Sequence, residues 1–200
     1  MFEEARHKLV FSSPLVRVLD VRLPAGDTTA YHVHAARMVG IAVQGARIWT
    51  QTPGAPPGPI AVPEAVPYVF DNWSQTIPYT HRVVNVDTLP LHYIVAEWLS
   101  RTGPETPALP HEPGRRLLKD GETARVYEIT LDPGAATSAH THAAPGLTVQ
   151  GTAGTLSEEG RPRAKGGAGA GSWSWREAQY RHVLRNAGST RLTIYEIDWR

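Results

Sequence analysis

The chain is written twice. Residues 17–26 (RVLDVRLPAG) realign 108 positions later with residues 125–134 (RVYEITLDPG). Both segments alternate apolar and polar residues, and both end in a turn. Gly26 is followed by five residues and then His32-Val33-His34, and Gly134 by five residues and then His140-Thr141-His142. Val43-Gln44-Gly45 matches Val149-Gln150-Gly151, the run from His81 to Asn85 matches that from His182 to Asn186, and Trp98 closes the first copy as Trp199 closes the second. One His-x-His pair would mean little in a chain with nine histidines. Two pairs in the same frame of glycines, each followed by a later histidine and asparagine, mark a duplication. A chain of 200 residues then holds two units, each near the size of a small folded domain. The expected boundaries are residues 11–100 and 116–200, joined by residues 101–115, a stretch rich in Pro and polar side chains.

Within each copy the pattern is that of strands. Residues 15–23 alternate with period two, which predicts a half-buried strand whose inward set is Leu15, Leu19, Val21 and Leu23. The 18 Gly and 17 Pro fall between short apolar runs, favouring many turns and short strands over long helices. The expectation is an all-β sandwich or barrel in each copy, with helix confined to a turn near residues 3–8. A formal net charge of +1, with Lys and Arg scattered, supplies no footprint for nucleic acid or an anionic membrane. No long apolar run marks a membrane span or leader, so a cytoplasmic location is expected. The absence of cysteine fits a reducing compartment and leaves only nitrogen and oxygen to hold a metal. Two copies in one chain can pack as a pseudo-dimer, so a monomer or a homodimer is expected.

Alternate side chains of a strand share a face, so His32 and His34 project together, as do His140 and His142. If the later strand lies beside the pair, His81 or His182 brings a third imidazole to the same point. Such a cluster suits iron, nickel, copper, manganese or zinc. Tyr79 and Tyr180 each stand two residues before the last histidine. They share its face and are candidate catalytic residues, with barrel packing as the alternative. Gln44 and Gln150 suit either a pocket wall or a turn. Trp73, Trp173 and Trp175 suit an aromatic wall or the core. Glu97, Glu196 and Asp198, beside the closing tryptophans, read as surface salt-bridge residues. His7, His92 and His111 have no repeat partner and read as surface or structural. Residues 166–171 (GGAGAG) lack the Lys-Ser/Thr of a phosphate-binding loop and read as a loop near a barrel mouth.

The pattern of Gly, five residues, His-x-His, a later Gly and then His-x-x-x-Asn resembles the two conserved motifs of the cupin superfamily. The resemblance covers nearly all of the chain, twice. It implies a bicupin, with two tandem cupin barrels of the double-stranded β-helix or jelly-roll type. It also implies metal ligands at His32, His34 and His81, and at His140, His142 and His182, with Asn85 and Asn186 in a structural role. The family's glutamate ligand is replaced by Met38 in one copy and Ala144 in the other, so both sites read as three-histidine sites. The Pro-x-Gly that often precedes the last histidine is missing as well, with Thr76 and Pro78, or Glu177 and Gln179, at those places. Three neutral imidazoles leave the charge of a divalent ion uncompensated, which favours an anionic substrate and leaves coordination positions open. The resemblance therefore implies a metal-dependent enzyme acting on a small organic anion, first of all a non-heme iron dioxygenase. The alternatives are a metal-dependent isomerase, hydrolase or decarboxylase, and a non-catalytic ligand-binding or sensing cupin. Fold alone does not fix the chemistry.

Overall fold

A computed structural model describes residues 4–62, 66–100, 106–160 and 162–200. It divides into two compact units, Met1–Leu99 and Ser100–Arg200. The first contains β1 (His7–Ser12), β2 (Val16–Leu23), β3 (His32–His34), β4 (Arg37–Gln44), β5 (Ile48–Gln51), β6 (Tyr68–Asp71), β7 (Tyr79–Asn85) and β8 (Leu91–Trp98). The second contains β9 (Arg115–Asp120), β10 (Ala124–Leu131), β11 (His140–His142), β12 (Gly146–Gln150), β13 (Leu156–Glu159), β14 (Ala164–Gly166), β15 (Trp173–Arg176), β16 (Tyr180–Asn186) and β17 (Leu192–Trp199). No helix occurs among the described residues. The segment expected as a helical turn holds a hydrogen-bonded turn at residues 5–6, closed by the His7 N–H on the Glu4 carbonyl at 2.9 Å, and then enters β1, while Glu3 lies outside the described residues.

The duplication is visible in the pairing. The first unit has a five-stranded sheet in the order β1-β2-β8-β4-β6 and a three-stranded sheet β3-β7-β5. The second repeats this as β9-β10-β17-β12-β15, extended by β14, with a small sheet β11-β16-β13. Even an irregularity is shared. Val10 is an extra residue between the pairs Leu9↔Leu19 and Phe11↔Val18, and Leu118 is its twin between Leu117↔Tyr127 and Lys119↔Val126. Such bulges re-aim the side chains on either side of them. β1 starts at His7 and β9 at Arg115, so both edge strands begin ahead of the boundaries expected at 11 and 116. Residues 101–105 of the expected connection lie outside the described residues.

The core of each unit lies between its two sheets. In the first, Val21, Leu23, Met38, Ala46, Leu91 and Val95 are buried together, with Leu19, Ile48, Phe70, Val83 and Tyr93 packed against them. Of the inward set expected on β2, Leu19, Val21 and Leu23 belong to this core. Val16 and Val18, on the opposite face, are fully buried as well, while Leu15 is only half-buried. In the second unit Ile129, Leu131, Leu184, Leu192 and Ile194 form the equivalent cluster. Each such side chain contributes about 1.5–3 kcal/mol by leaving water.

Asn85 and Asn186 are fully buried and latch the end of each barrel. The Asn186 amide donates to the Leu131 and Thr190 carbonyls, and its Oδ1 accepts from the Gly188 N–H. Asn85 does the same with Leu23, Pro24, Leu89 and Asp87. Gly26 and Gly134 turn the chain toward the histidine strands with φ of 71° and 78°, a region open to glycine at little cost.

Candidate metal centres

In the second unit β11 pairs antiparallel with β16, setting His140 opposite His182 and His142 opposite Tyr180. Each imidazole donates its Nδ1 proton to a fixed acceptor. His140 donates to the Ser138 carbonyl at 2.9 Å, His142 to Asp198 at 2.7 Å and His182 to Glu158 at 2.8 Å. That leaves three Nε2 lone pairs aimed inward, at 3.0 and 3.1 Å from one another along the chain His140, His182, His142. Glu196, fully buried on β17, closes the group at 2.9 Å from His182, 3.1 Å from His142 and 3.3 Å from His140. The donor atoms of these four residues all lie within 4.8 Å of one another. Facing lone pairs repel unless a cation stands between them, so this is a donor set suited to a metal ion, with its orienting hydrogen bonds already in place.

Electrostatics agrees. Burial alone would raise the carboxyl pKa of Glu196, but the imidazoles around it outweigh burial and hold it well below the usual range. Burial would lower His182, but the nearby Glu158 and Glu196 carboxylates raise it. Arg176, also fully buried, pairs with Asp198 and donates to the Ile197 carbonyl at 3.1 Å. A cavity of about 750 Å³ in the second unit is bounded by Glu158, Thr148, Gln150, Lys165 and Trp173, and residues 166–169 line it. The histidines are not among its walls.

The first unit has the same frame with different contents. His32 stands opposite His81 and His34 opposite Tyr79. His34 donates to Glu97 at 2.9 Å, as His142 does to Asp198, and His32 Nδ1 lies 3.0 Å from the Ala30 carbonyl. Among the described residues, no carboxylate equivalent to Glu196 reaches in: β2 pairs Leu19 with Val95 where β10 pairs Tyr127 with Glu196. Thr50 likewise pairs with Val83 where Glu158 pairs with Leu184. The result is a set of buried nitrogens without a hydrogen-bond partner, namely Nε2 of His32, both nitrogens of His81 and Nδ1 of His7. Orphaned polar atoms of this kind are costly unless something occupies the space between them. The His7, His32 and His34 donor atoms lie within 4.8 Å of one another, and the His81 ring is centred 4.6 Å from His32 and 5.2 Å from His34. Burial, assisted by the neighbouring rings, lowers the pKa of His7 and His81 to about 3, which keeps both neutral. A cavity of about 330 Å³ reaches His7, His34 and His81 between walls that include Met38, Phe70 and Tyr79.

Three expectations are corrected here. Glu97, Glu196 and Asp198 are not surface residues: they are 3%, 0% and 5% exposed and hydrogen-bonded to the histidines, because their strand turns that face into the barrel. The second site is not a bare three-histidine cluster, since Glu196 supplies from the closing strand the carboxylate missing at Ala144. His7 is not a remote structural residue, since its ring is centred 4.4 Å from that of His32. Of the two tyrosines, Tyr79 lines the cavity with its ring 4.7 Å from His81. Tyr180 donates to Glu158 at 3.1 Å and so acts on the partner of His182. Gln44 and Gln150 donate to nearby carbonyls in their turns, and Gln150 also borders the second cavity. Trp173 walls that cavity, whereas Trp175 is fully buried.

Known structures share this arrangement of two facing sheets in each unit. Over 97% of both chains the molecule superposes on AerE from Microcystis aeruginosa, with a TM-score of 0.67 and 10% identity. It also superposes on the oxalate decarboxylase of Lactobacillus farciminis, with a TM-score of 0.63 and 10% identity over 98% of this chain and 85% of that one. The chain has the cupin fold. A third cupin-fold relative, salicylate 1,2-dioxygenase from Pseudaminobacter salicylatoxidans, matches at a TM-score of 0.61 and 12% identity, over 93% of this chain and 71% of that one. No protein-family model and no curated protein matches in sequence.

Proposed function

We propose that the chain is a bicupin metalloenzyme whose first unit is the working site and whose substrate is a small organic anion. The observation that carries this is the set of orphaned imidazole nitrogens of His7, His32 and His81, of which His7 and His81 line a cavity of about 330 Å³. That volume matches a small ligand. His32, His34 and His81 would hold the ion in the first unit, and His140, His142, His182 and Glu196 in the second. A divalent transition metal, iron first, would supply Lewis acidity toward an organic anion and redox chemistry with dioxygen. Around it, Glu97 and the Ala30 carbonyl fix the orientation of His34 and His32. Met38, Phe70 and Tyr93 exclude water from the cavity, and the Tyr79 hydroxyl is the candidate donor to the substrate. With no carboxylate donor in the first cluster, an anionic ligand brings the charge that balances the ion. Two of the structural relatives are named for small carboxylates, salicylate and oxalate, which supports this substrate class. The reaction we favour is dioxygenation.

The test is oxygen uptake by untagged protein loaded anaerobically with Fe(II), across a panel of small aromatic and chelating acids. Uptake that disappears in His81→Ala and survives in His182→Ala is the expected result. Tight binding of an acid without uptake or any product would replace the enzyme with a ligand-binding module, and turnover without oxygen would favour decarboxylation or isomerisation.

A further inference from the structure

We propose that His7 is a fourth metal ligand, so that the first unit grips its ion with four imidazoles, His7, His32, His34 and His81, and with no carboxylate. This rests on reading the first cluster as a metal centre and adds a donor from a strand outside the repeated histidine motif.

His7 opens β1, where it pairs with Val21. Its ring is centred 4.4 Å from His32 and 5.9 Å from His34, and its Nδ1 is buried with no hydrogen-bond partner. A histidine packed in a core normally satisfies at least one buried ring nitrogen locally. This one lies near others in the same condition, Nε2 of His32 and both nitrogens of His81. His32 and His34 each have Nδ1 engaged, by Ala30 and Glu97, so each presents Nε2 to the shared space. Imidazole is a good ligand for Fe, Ni, Cu and Zn alike, and four of them make a neutral set.

The comparison of the two units strengthens the point. Arg115 pairs with Ile129 as His7 pairs with Val21, so Arg115 holds the place of His7. It is turned to another task, bridging Glu112 at 2.8 Å. Conversely Val95 holds the place of Glu196. Each unit thus adds one donor to the shared triad, from a different strand, and lacks the donor the other has. A fourth imidazole in one barrel does the work of a carboxylate in the other, but leaves the full charge of the ion in place.

The experiment uses full-length, untagged protein carrying His182→Ala and Glu196→Gln, which silence the second centre. It is titrated with Cu(II), the coordinated nitrogens are counted by continuous-wave and pulsed EPR, and affinity is read by competition with a chelator. The expected result is one Cu(II) with a four-imidazole signature. His7→Phe, which keeps a ring in the space, should lose one nitrogen and about tenfold or more in affinity, while His7→Glu should bind with an altered spectrum. An unchanged spectrum and affinity in His7→Phe would overturn the proposal while leaving the metal centre intact. No Cu(II) uptake by the folded parent would overturn both the centre and the ligand. If His7→Phe loses its far-ultraviolet dichroism, His7→Gln is read by the same criteria. If the silenced background itself unfolds, the difference spectrum between wild type and His7→Gln is judged instead.

Discussion

His34 donates through Nδ1 to Oε1 of Glu97 at 2.9 Å, and both side chains are buried. The other carboxylate oxygen receives Arg17 at 2.7 Å, so both oxygens are held. Partners of this kind fix the tautomer and increase the basicity of a ligating imidazole. Glu97→Gln keeps the shape and removes the charge. It should weaken metal binding in the first unit about tenfold, and Asp198→Asn should do the same in the second. Chelator competition on each variant is the check, and affinities equal to wild type would sink the idea.

The neutral histidines of the first cluster make the metal-free protein sensitive to acid. His7 and His81 are held at about 3, chiefly by burial, against an ordinary value of 6.5. Between those limits the unfolded chain binds protons at these rings that the folded chain refuses, so stability falls as pH falls. The contribution is complete above 6.5 and is lost progressively towards 3. The urea midpoint of metal-free protein should therefore drop between pH 7 and pH 5, less so in His81→Phe. A midpoint that stays level in the wild type would contradict this.

Two glycines, Gly40 on β4 and Gly146 on β12, should tolerate a methyl group unequally. A Cβ on Gly146 would run into the Ile197 carbonyl, which is backbone of the neighbouring strand, as well as into Arg176. A Cβ on Gly40 would meet the tip of the Phe70 ring. Gly146→Ala should cost about 1–3 kcal/mol by overpacking. Gly40→Ala should cost less, because the Phe70 ring can move into the cavity beside it. Denaturant melts of both variants, followed separately for each unit by their tryptophans, give the comparison, and a larger loss at Gly40 would refute it.

Much of the molecule was legible because it is stated twice. The His-x-His pairs, the later histidines, the asparagine latches and the strand order all recur at matching positions, and repetition separates a constrained residue from an accidental one. The same filter hid what the copies do not share. His7 has Arg115 for a counterpart and Glu196 has Val95, so neither could stand out by recurrence. Glu97 and Asp198 do recur, but alternation with apolar neighbours is also the pattern of a strand with one wet face, so the sequence does not set them apart from surface charges. The available signal was their setting: both sit beside a tryptophan in a strand that is apolar on both faces, where a charge without a buried partner would be expensive. Arg176 could not stand out by recurrence, since Gly146 faces Asp198 as Met38 faces Glu97, and Met38 has Asn72 beside it where Gly146 has Arg176.

The extra residue at Val10 and its twin at Leu118 carry a consequence for ancestry. Two edge strands with little sequence in common interrupt their ladders at the same step, which is the mark of descent from one parent strand that already had the kink. The kink is therefore older than the doubling of the chain, and the divergence at His7 and Arg115, and at Val95 and Glu196, is younger. Once two barrels existed, each was released from having to be the other, and a chemistry that one barrel gave up could be kept by its sibling.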